Sequence, residues 1–566
     1  MKKTLKKFMN KNKEDYPWFK YYKDIPKRLK YFEYSIYDYF EISAKRNLSN
    51  VAIVYFGKKI TYKTLLKEIN NIASSLIENG IKQDDIVTIC MANCPEAIVL
   101  FYAINKIGAI SNIVHPLSAE NEIYECILNT ESKFVFINDI VFTKIKNIER
   151  NLRLKKVIVV PLSNKMDTLH KIGYNLTKSV NMKDMPNNFQ YYNNFINIGS
   201  KEIPSAKRKY SSDAVILYSG GSTGKPKGVV LSNLCFNSIP KQYSYIIDAK
   251  PKDSILSYLP IFHGFGLCVS IHTPLIYGMK CILDPKIDVK KINKIIKKHK
   301  INFLPVIPSL LNVLISDKFV GKKDLSSLKY VVSGGDFLSY DLKVNSENFL
   351  IDHGSNAKII VGYGLTEATA AVVASIEENY RSKSVGVPLS DNKYKVVRND
   401  THDVCDKYEI GEICLSGPSL MSRYYKNETE TFKTLQIHED GKIWLHTGDL
   451  GYVGSDDILY FETRKKRMII SNGFNIYPGY IEEVLNKHEY IQSSIVVGKK
   501  DKVKTQIVKA VIVLKEGITN TFEVKKEIKD YLKQNLSKYA IPEIIEYRSE
   551  LPKTKVGKVD FRALEK

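Results

Sequence analysis

Apolar and polar positions alternate in two rhythms along most of the chain. Leu66, Ile69, Ala73 and Leu76 recur at helical spacing up to Gly80, a residue type suited to a C-cap, and Ile86 to Met91 is a short β-rich run. Asn93 stands where an N-cap belongs, with Pro95 just inside a helix that carries Ala97, Ile98, Leu100, Phe101 and Ile104 and ends near Gly108. A strand over 110–114, a helix over 118–128 and a strand over 134–137 follow. Short strands alternating with amphipathic helices predict parallel sheet assembled from βαβ units.

The rhythm is interrupted twice. Residues 1–48 are aromatic and basic without a period and read as a surface-hugging lead-in, while 164–209 reads as a polar surface excursion. The alternation resumes at Val215 and runs through Leu283, Phe303, Val331 and Ile359, and after Leu389 it becomes β-rich with turns at Gly411, Gly417, Gly441 and Gly454. Past Arg464 a compact α+β unit is predicted, with helices over 480–488 and 522–536 and strands near Ile495 and over 507–514. The expected fold class is α/β: a large N-terminal body of βαβ subdomains plus a β-rich subdomain, then a small mobile α+β C-terminal domain. The stretch Ile261 to Met279, without Asp, Glu, Lys or Arg, contains two His, three Gly and a Pro. It reads as buried core or pocket wall, not as a bilayer span.

Composition narrows the class. With 44% hydrophobic and 26% charged residues, and only 30 Gly and 20 Pro among 566, the chain is neither collagenous nor disordered. Its 85 Lys and Arg exceed 61 Asp and Glu, a net charge of +24, but the lysines run the whole length without a basic block, so no nucleic-acid partner is expected. Weak peripheral attraction to anionic lipid stays open. The eight cysteines form no CxxC pair and no zinc-spaced cluster, and the basic N-terminus lacks a following apolar stretch. Reduced thiols and no export signal place the protein in the cytoplasm.

The candidate chemistry begins at YSGGSTGKPKGVVLSN, residues 218–233. Ser219, Ser222 and Thr223 lie among Gly220, Gly221 and Gly224 directly after an apolar run, and Lys227 follows. Glycines let backbone approach an anion, hydroxyls donate to it, and the lysine supplies charge, which together make a phosphate loop. It is not a Walker A loop, because the first glycine of that pattern falls at Ser219 and Pro226 occupies the Ser/Thr position.

The segment resembles the signature of the adenylate-forming superfamily, which includes acyl-CoA synthetases, nonribosomal peptide adenylation domains and beetle luciferases. Other motifs of that superfamily follow in order between about Ile60 and Phe561. In YGLTE, residues 363–367, the resemblance implies that Tyr363 and Gly364 border adenine, Thr366 bonds the α-phosphate and Glu367 binds Mg²⁺. A hard carboxylate oxygen suits that cation. Gly334 and Gly335 resemble strand-end glycines that let adenine approach, although Asp336 and Phe337 depart from the usual small or proline residues. In WLHTGDL, residues 444–450, Asp449 would accept both ribose hydroxyls, as one carboxylate can.

By the same resemblance Arg464 would contact ribose or phosphate, Lys466 would be a hinge, Gly473 would face the thiol channel, and Lys558 in LPKTKVGKVDF would be the adenylation lysine. The implied domains are an ATP- and acid-binding body over 1–463, a hinge at 464–467 and a lid over 468–566. The implied reaction is ATP-dependent activation of a carboxylic acid to an acyl-adenylate, followed by transfer to CoA with release of AMP and pyrophosphate. Catalysis would rest on Thr223, Lys227, Thr366, Glu367 with Mg²⁺, and Lys558. The stretch PIFHGFG, residues 260–266, has Phe262, His263 and Phe265 where amino-acid activators carry an Asp nearby, so a fatty or aryl acid is expected. No carrier domain is expected after the lysine motif. CoA is the expected thiol, a separate carrier protein is the alternative acceptor, and a catalytically silent basic nucleotide-binding protein is the alternative from another class. The sequence leaves the oligomeric state open.

Overall fold

A computed structural model describes residues 15–178, 182, 184–196, 202–220, 226–285, 287–317, 320–375, 380–471, 474–501, 505–537, 540–553 and 559–565. Contacts divide the chain into two units, residues 1–393 with 415–445, and residues 394–414 with 446–566. The boundary expected at 464–467 lies inside the second unit of this division.

The first unit is built on two sheets. In one, the strands run in the order Arg423–Tyr424, Pro226–Ser232, Asp213–Gly220, Ile110–Ile113, Ile86–Cys90, Phe134–Asn138, Lys156–Val160 and Phe189–Tyr191. All neighbours from Asp213–Gly220 onward are parallel, as the βαβ pattern predicts, and these strands are largely buried except the edge strand Phe189–Tyr191. The two strands before it are antiparallel: Asp213–Gly220 folds back on Pro226–Ser232, with Ser219 opposite Lys227. In the other sheet the strands of this unit run Ser384–Pro388, Ala371–Ala374, Lys358–Gly364, Tyr330–Ser333, Phe303–Val306, Ser254–Ser257, Lys280–Leu283, Val51–Tyr55 and Lys58–Thr61. Leu256, Leu304, Val306, Val331 and Ile359 from these strands pack with Ile292, Ile296, Leu310, Leu311 and Leu314 from helices that cover one face.

Local chemistry accounts for the helices and corrects three expectations. Helix Tyr62–Glu78 is capped by the Thr61 hydroxyl and ends at Gly80, whose φ of +88° uses glycine's freedom, but its buried stripe is Leu65, Ile69, Ile72, Ala73 and Leu76. Leu66 is therefore half-buried at the edge of that stripe. Helix Pro95–Lys106 is capped at Cys94, not Asn93. The Asn93 amide instead donates to the Leu259 carbonyl at 2.8 Å, and its oxygen accepts from the Ile261 amide at 3.0 Å. A buried amide finds partners wherever the fold supplies them, and here those partners lie far along the chain. The lead-in is also more than a surface strap, because Ile36–Arg46 is a helix with a Ser35/Asp38 capping box and buries Ile36, Tyr37, Phe40 and Ala44. The excursion over 164–209 holds helices Thr168–Lys178 and Tyr192–Ile196 and the strand Phe189–Tyr191.

The second unit contains the β-rich strands Lys393–Val397, Gly411–Ser416, Ile443–Val453 and Leu459–Arg464, the first three of which also reach into the first unit. A further sheet orders Phe474–Ile476, Ile469–Ser471, Thr505–Leu514 and Ile491–Asp501, with Ile544–Tyr547 beside Thr505–Leu514. Helices Pro478–Asn486 and Phe522–Asn535 cover it, burying Ile481, Leu485, Ile528 and Leu532 against Val496, Val508 and Ile512. The mixed α/β class, with a large N-terminal body and a small C-terminal α+β part, is as the pattern predicted.

Candidate nucleotide and acid site

In the first unit the site gathers at the turn end of the Asp213–Gly220 and Pro226–Ser232 hairpin. Gly221, Ser222, Thr223 and Gly224 lie outside the described residues, as do Gly473 and Lys558 in the second unit. The hairpin itself fixes where the loop must begin and end. Pro226 opens the return strand, where its missing N–H is tolerated at a strand start.

Ser219 and Lys227 stand opposite each other at this end, and each faces a carboxylate. The Ser219 hydroxyl donates to Oε1 of Glu367 at 2.7 Å, and the Tyr424 hydroxyl donates to the same oxygen at 2.8 Å. Lys227 pairs with Glu430 and lies 5.0 Å from the centre of the Tyr424 ring. Burial, reinforced by the Glu367 carboxylate, pushes the Tyr424 phenol far above its ordinary value, so Tyr424 remains a donor at all physiological pH. The Lys227 ammonium holds Glu430 below the usual carboxylate range. The result is a partly buried cluster of two carboxylates and one cation, with a hydroxyl on either side of Glu367.

Glu367 is held by a constrained turn. Lys358–Gly364 ends in the sheet, Thr366–Ala368 makes one 3₁₀ turn, and Thr369 follows at φ +68° with its hydroxyl donating to the Ser419 carbonyl at 2.8 Å. A β-branched residue at positive φ is costly and persists because the surrounding bonds fix it. A Cβ at Gly364 would lie 1.9 Å from the Ala370 carbonyl oxygen, so only glycine fits there. Tyr363 is buried one residue earlier, and Thr366 is half-buried at the turn.

Gly334 and Gly335 end the neighbouring strand. A Cβ at Gly334 would come within 3.3 Å of the Phe265 ring, and Gly335 adopts φ +82°. Asp336 accepts from the amide of the exposed Phe337. Phe265 opens a π-helical segment, Phe265–His272, a form often found at functional sites. Phe262 is buried and stacks on His115 at 3.9 Å, while His263 is half-buried beside it at 4.7 Å. The Asn93 amide clamps the Leu259–Ile261 turn that leads into this stretch.

Behind Gly334 lies an apolar cleft that no motif announced. Tyr243, Ile247, Val269, Tyr277, Phe303 and Val332 are among its walls. Val269 is one turn beyond Phe265, and Val332 is two residues before Gly334. Phe262, His263 and Phe265 are not part of its lining. Tyr424, Glu430 and Asn93 were likewise invisible to motif reading, because each acts through a partner more than 50 residues away.

The second unit holds its own cluster. Asp449 is buried and registers with Arg464 across the hairpin, with Nε of Arg464 at 3.5 Å from its carboxylate. Thr447 accepts from the Asp449 amide at 3.1 Å and donates to the Ile413 carbonyl at 2.7 Å. Gly448 turns at φ +69° and donates its amide to Glu412 at 2.9 Å, and His446 lies 3.2 Å from the other Glu412 oxygen. Burial alone would raise Glu412, but His446, the Gly448 amide and Lys465 outweigh it and hold Glu412 below its ordinary value. Lys466 is exposed in the 3₁₀ turn Lys465–Arg467.

A hydroxyl- and lysine-bearing hairpin tip and a constrained turn presenting a carboxylate lie in the first unit, and a carboxylate–arginine pair lies in the second. The chain belongs to the AMP-binding enzyme family: residues 40–425 match the AMP-binding enzyme domain and residues 480–558 its C-terminal domain. Among characterised relatives it is 31% identical to the long-chain-fatty-acid–CoA ligase of Bacillus subtilis (strain 168), with 97% of each chain covered. It is 28% identical to 4-coumarate–CoA ligase 1 of Solanum tuberosum, covering 95% of this chain and 94% of that one. The fold matches the crystal structure of the anthranilate CoA ligase AuaEII in complex with anthranoyl-AMP with a TM-score of 0.81 at 22% identity, covering 96% of this chain and 98% of that one.

Proposed function

We propose that the protein is an AMP-forming acid–thiol ligase that activates an apolar carboxylic acid, fatty or aryl, with ATP and passes the acyl group to CoA. The carboxylate oxygen of the acid attacks the α-phosphorus, pyrophosphate leaves, and the CoA thiol then displaces AMP from the mixed anhydride. No protein nucleophile is needed, so the residues contribute positioning and charge neutralisation.

The observation that carries the reading is the meeting of Ser219, Lys227, Glu367 and Tyr424 at the hairpin tip. Lys227, with Thr223 on the loop, neutralises phosphate oxygens, and Thr366 donates to the α-phosphate. The Glu367 carboxylate fits Mg²⁺, because its second oxygen is not used by Ser219 or Tyr424 and a hard anionic oxygen is what this cation takes. Bound there, Mg²⁺ would supply countercharge to the triphosphate. Ser219, Gly220, Gly221, Ser222 and Gly224 line the phosphates; Gly334, Gly335, Tyr363 and Gly364 border adenine; Asp449 and Arg464 take the ribose side.

The apolar cleft behind Gly334 supports an acyl or aryl tail, with Phe265, His263 and Phe262 at its approach. Lys558 serves the adenylation step and Gly473 the thiol step, exchanged by movement about Lys466 between a body over 1–463 and a lid over 468–566. The unpaired cysteines, seven of the eight buried, suit a cytoplasmic setting. Among the described residues no helix is long and apolar enough to cross a membrane.

The test is pyrophosphate release with ATP and a panel of straight-chain acids, benzoates and amino acids, with CoA or a phosphopantetheinyl carrier protein as thiol. Acid-dependent AMP formation and a CoA thioester product are expected. A preference for an α-amino acid would overturn the apolar-acid reading, since its ammonium would be desolvated without a partner. Thioester formation only on the carrier would move the acceptor to a protein.

A further inference from the structure

Helix Thr168–Lys178 presents an apolar stripe to solvent. Leu169, Ile172 and Leu176 share one face at i, i+3 and i+7, and they are 81%, 54% and 81% exposed. The opposite side is tied down, with the Tyr174 hydroxyl donating to Asp139 at 3.1 Å and the Ser163 hydroxyl to Asn175 at 3.1 Å. The stripe is therefore held facing outward by polar anchors.

Cations border this helix through one hairpin. The Asp167 amide donates to the Phe56 carbonyl at 3.2 Å and the His170 ring lies 5.6 Å from the Phe56 ring, which seats the turn of Val51–Tyr55 and Lys58–Thr61 against the start of the helix. Lys58 and Lys59 are exposed on that turn. On the hairpin's other side Val51–Tyr55 pairs with Lys280–Leu283, and helix Ile292–His299 buries Ile292 and Ile296 while exposing Lys294, Lys297 and Lys298. Burial, and after it the charges of Lys298, Lys280 and Lys59, lower the basicity of His299, a sign of crowded positive charge. Acidic groups among them include Asp167, paired with His170, Asp288 with Lys291, Asp324 with Lys297, and Asp317, which accepts from Asn293.

We propose that this face docks the protein on an anionic lipid bilayer, with Leu169, Ile172 and Leu176 entering the headgroup region and Lys58, Lys59, Lys294 and Lys298 facing its negative charge. Three aliphatic side chains on one short helix fall short of a protein interface, which takes about 800 Å² per partner, whereas one apolar helix face suffices for interfacial insertion. A polyanion such as nucleic acid would use the lysines and leave the stripe without a role. Juxtaposed lysines strengthen attraction to anionic leaflets over roughly a Debye length of 8 Å at physiological salt. The net charge of +24 adds long-range attraction of the same sign.

Flotation of the full chain with phosphatidylcholine vesicles, with and without phosphatidylglycerol, tests the proposal and does not require turnover. Wild type should float only with phosphatidylglycerol vesicles, and less so as salt rises. The triple variant Leu169→Ser, Ile172→Ser, Leu176→Ser should bind at least about tenfold more weakly. The variant Lys58→Gln, Lys59→Gln, Lys294→Gln, Lys298→Gln, which leaves every buried group in place, should lose about as much. Melting temperature and pyrophosphate release with a water-soluble acid should be unchanged in both. Wild type that does not float, or a folded triple variant that binds as wild type does, would overturn the proposal. So would a concentration-dependent dimer that the triple variant abolishes while vesicle binding persists.

Discussion

Ser219 and Glu367 are 148 residues apart in the chain and 2.7 Å apart in the structure, joined by a hydrogen bond from the serine hydroxyl to the carboxylate. Ser219 lies at the end of a strand of one sheet of the first unit and Glu367 in the turn that follows a strand of the other, so the bond ties the hairpin to the turn that presents the acidic residue. Tyr424 closes the same contact from a third strand.

Glu367→Gln keeps the shape and one acceptor but removes the charge. Turnover should fall and the magnesium concentration for half-maximal pyrophosphate release should rise, as a titration will show. Tyr424→Phe removes one hydrogen bond to that carboxylate and keeps the ring beneath Lys227, so a loss of about 0.5 to 1.5 kcal/mol in kcat/KM is expected. An unchanged magnesium requirement in Glu367→Gln would remove Glu367 from the metal.

Lys227 pairs with Glu430, so in the proposed role the carboxylate competes with phosphate oxygens for the lysine. Glu430→Gln should therefore lower the Michaelis constant for ATP by a few-fold, since a partly exposed pair contributes up to about 1 kcal/mol. Lys227→Ala should raise it. Movement in the same direction for both variants would mean that Glu430 supports the site and does not compete for the lysine.

Asp449→Ala is expected to weaken ATP binding by about 1.5 to 3 kcal/mol for each charged hydrogen bond lost. Isothermal titration with a nonhydrolysable ATP analogue measures this directly. Unaltered affinity would leave Asp449 as no more than the partner of Arg464.

Glu412 is held below its ordinary carboxylate value in the folded state, and the sign of its effect on stability follows. Its contribution is fully present above the unfolded value of about 4.3 and is lost as the pH falls through the lower folded value. Glu412→Gln should therefore be less stable than wild type at neutral pH, with the gap in melting temperature closing on acidification. A gap that is constant with pH would mean that the loss comes from packing and not from charge.

In the role proposed for Lys558, its charge serves the centre where the acyl–phosphate bond forms, so Lys558→Ala should abolish adenylate formation and spare thioester formation from supplied acyl-adenylate. Rapid-quench assays of the two half-reactions separate the outcomes. Equal loss in both would assign Lys558 a general binding role.

The one-dimensional pattern carried the class of fold and the order of its parts. Parallel strands read as continuous apolar runs because both faces are buried, and helices read at 3.6 spacing because one face is, so both periods survive in sequence. Ser219, Lys227, Glu367 and Asp449 stood out in the sequence for a related reason: short, glycine-rich turns need particular residue types at fixed local spacing. What the tertiary structure alone decided is which distant side chains complete each turn. Tyr424 and Glu430 beside the phosphate hairpin, Glu412 under Gly448, and Asn93 holding the Leu259–Ile261 turn are ordinary polar residues in sequence. Each acquires its role when sheet pairing brings it within hydrogen-bond reach. The apolar cleft behind Gly334 is of the same kind, since its walls come from five separate segments that only the packed sheet and helices bring together. Hydrogen bonds and cavities depend on distances in space, and a linear pattern records only distances along the chain.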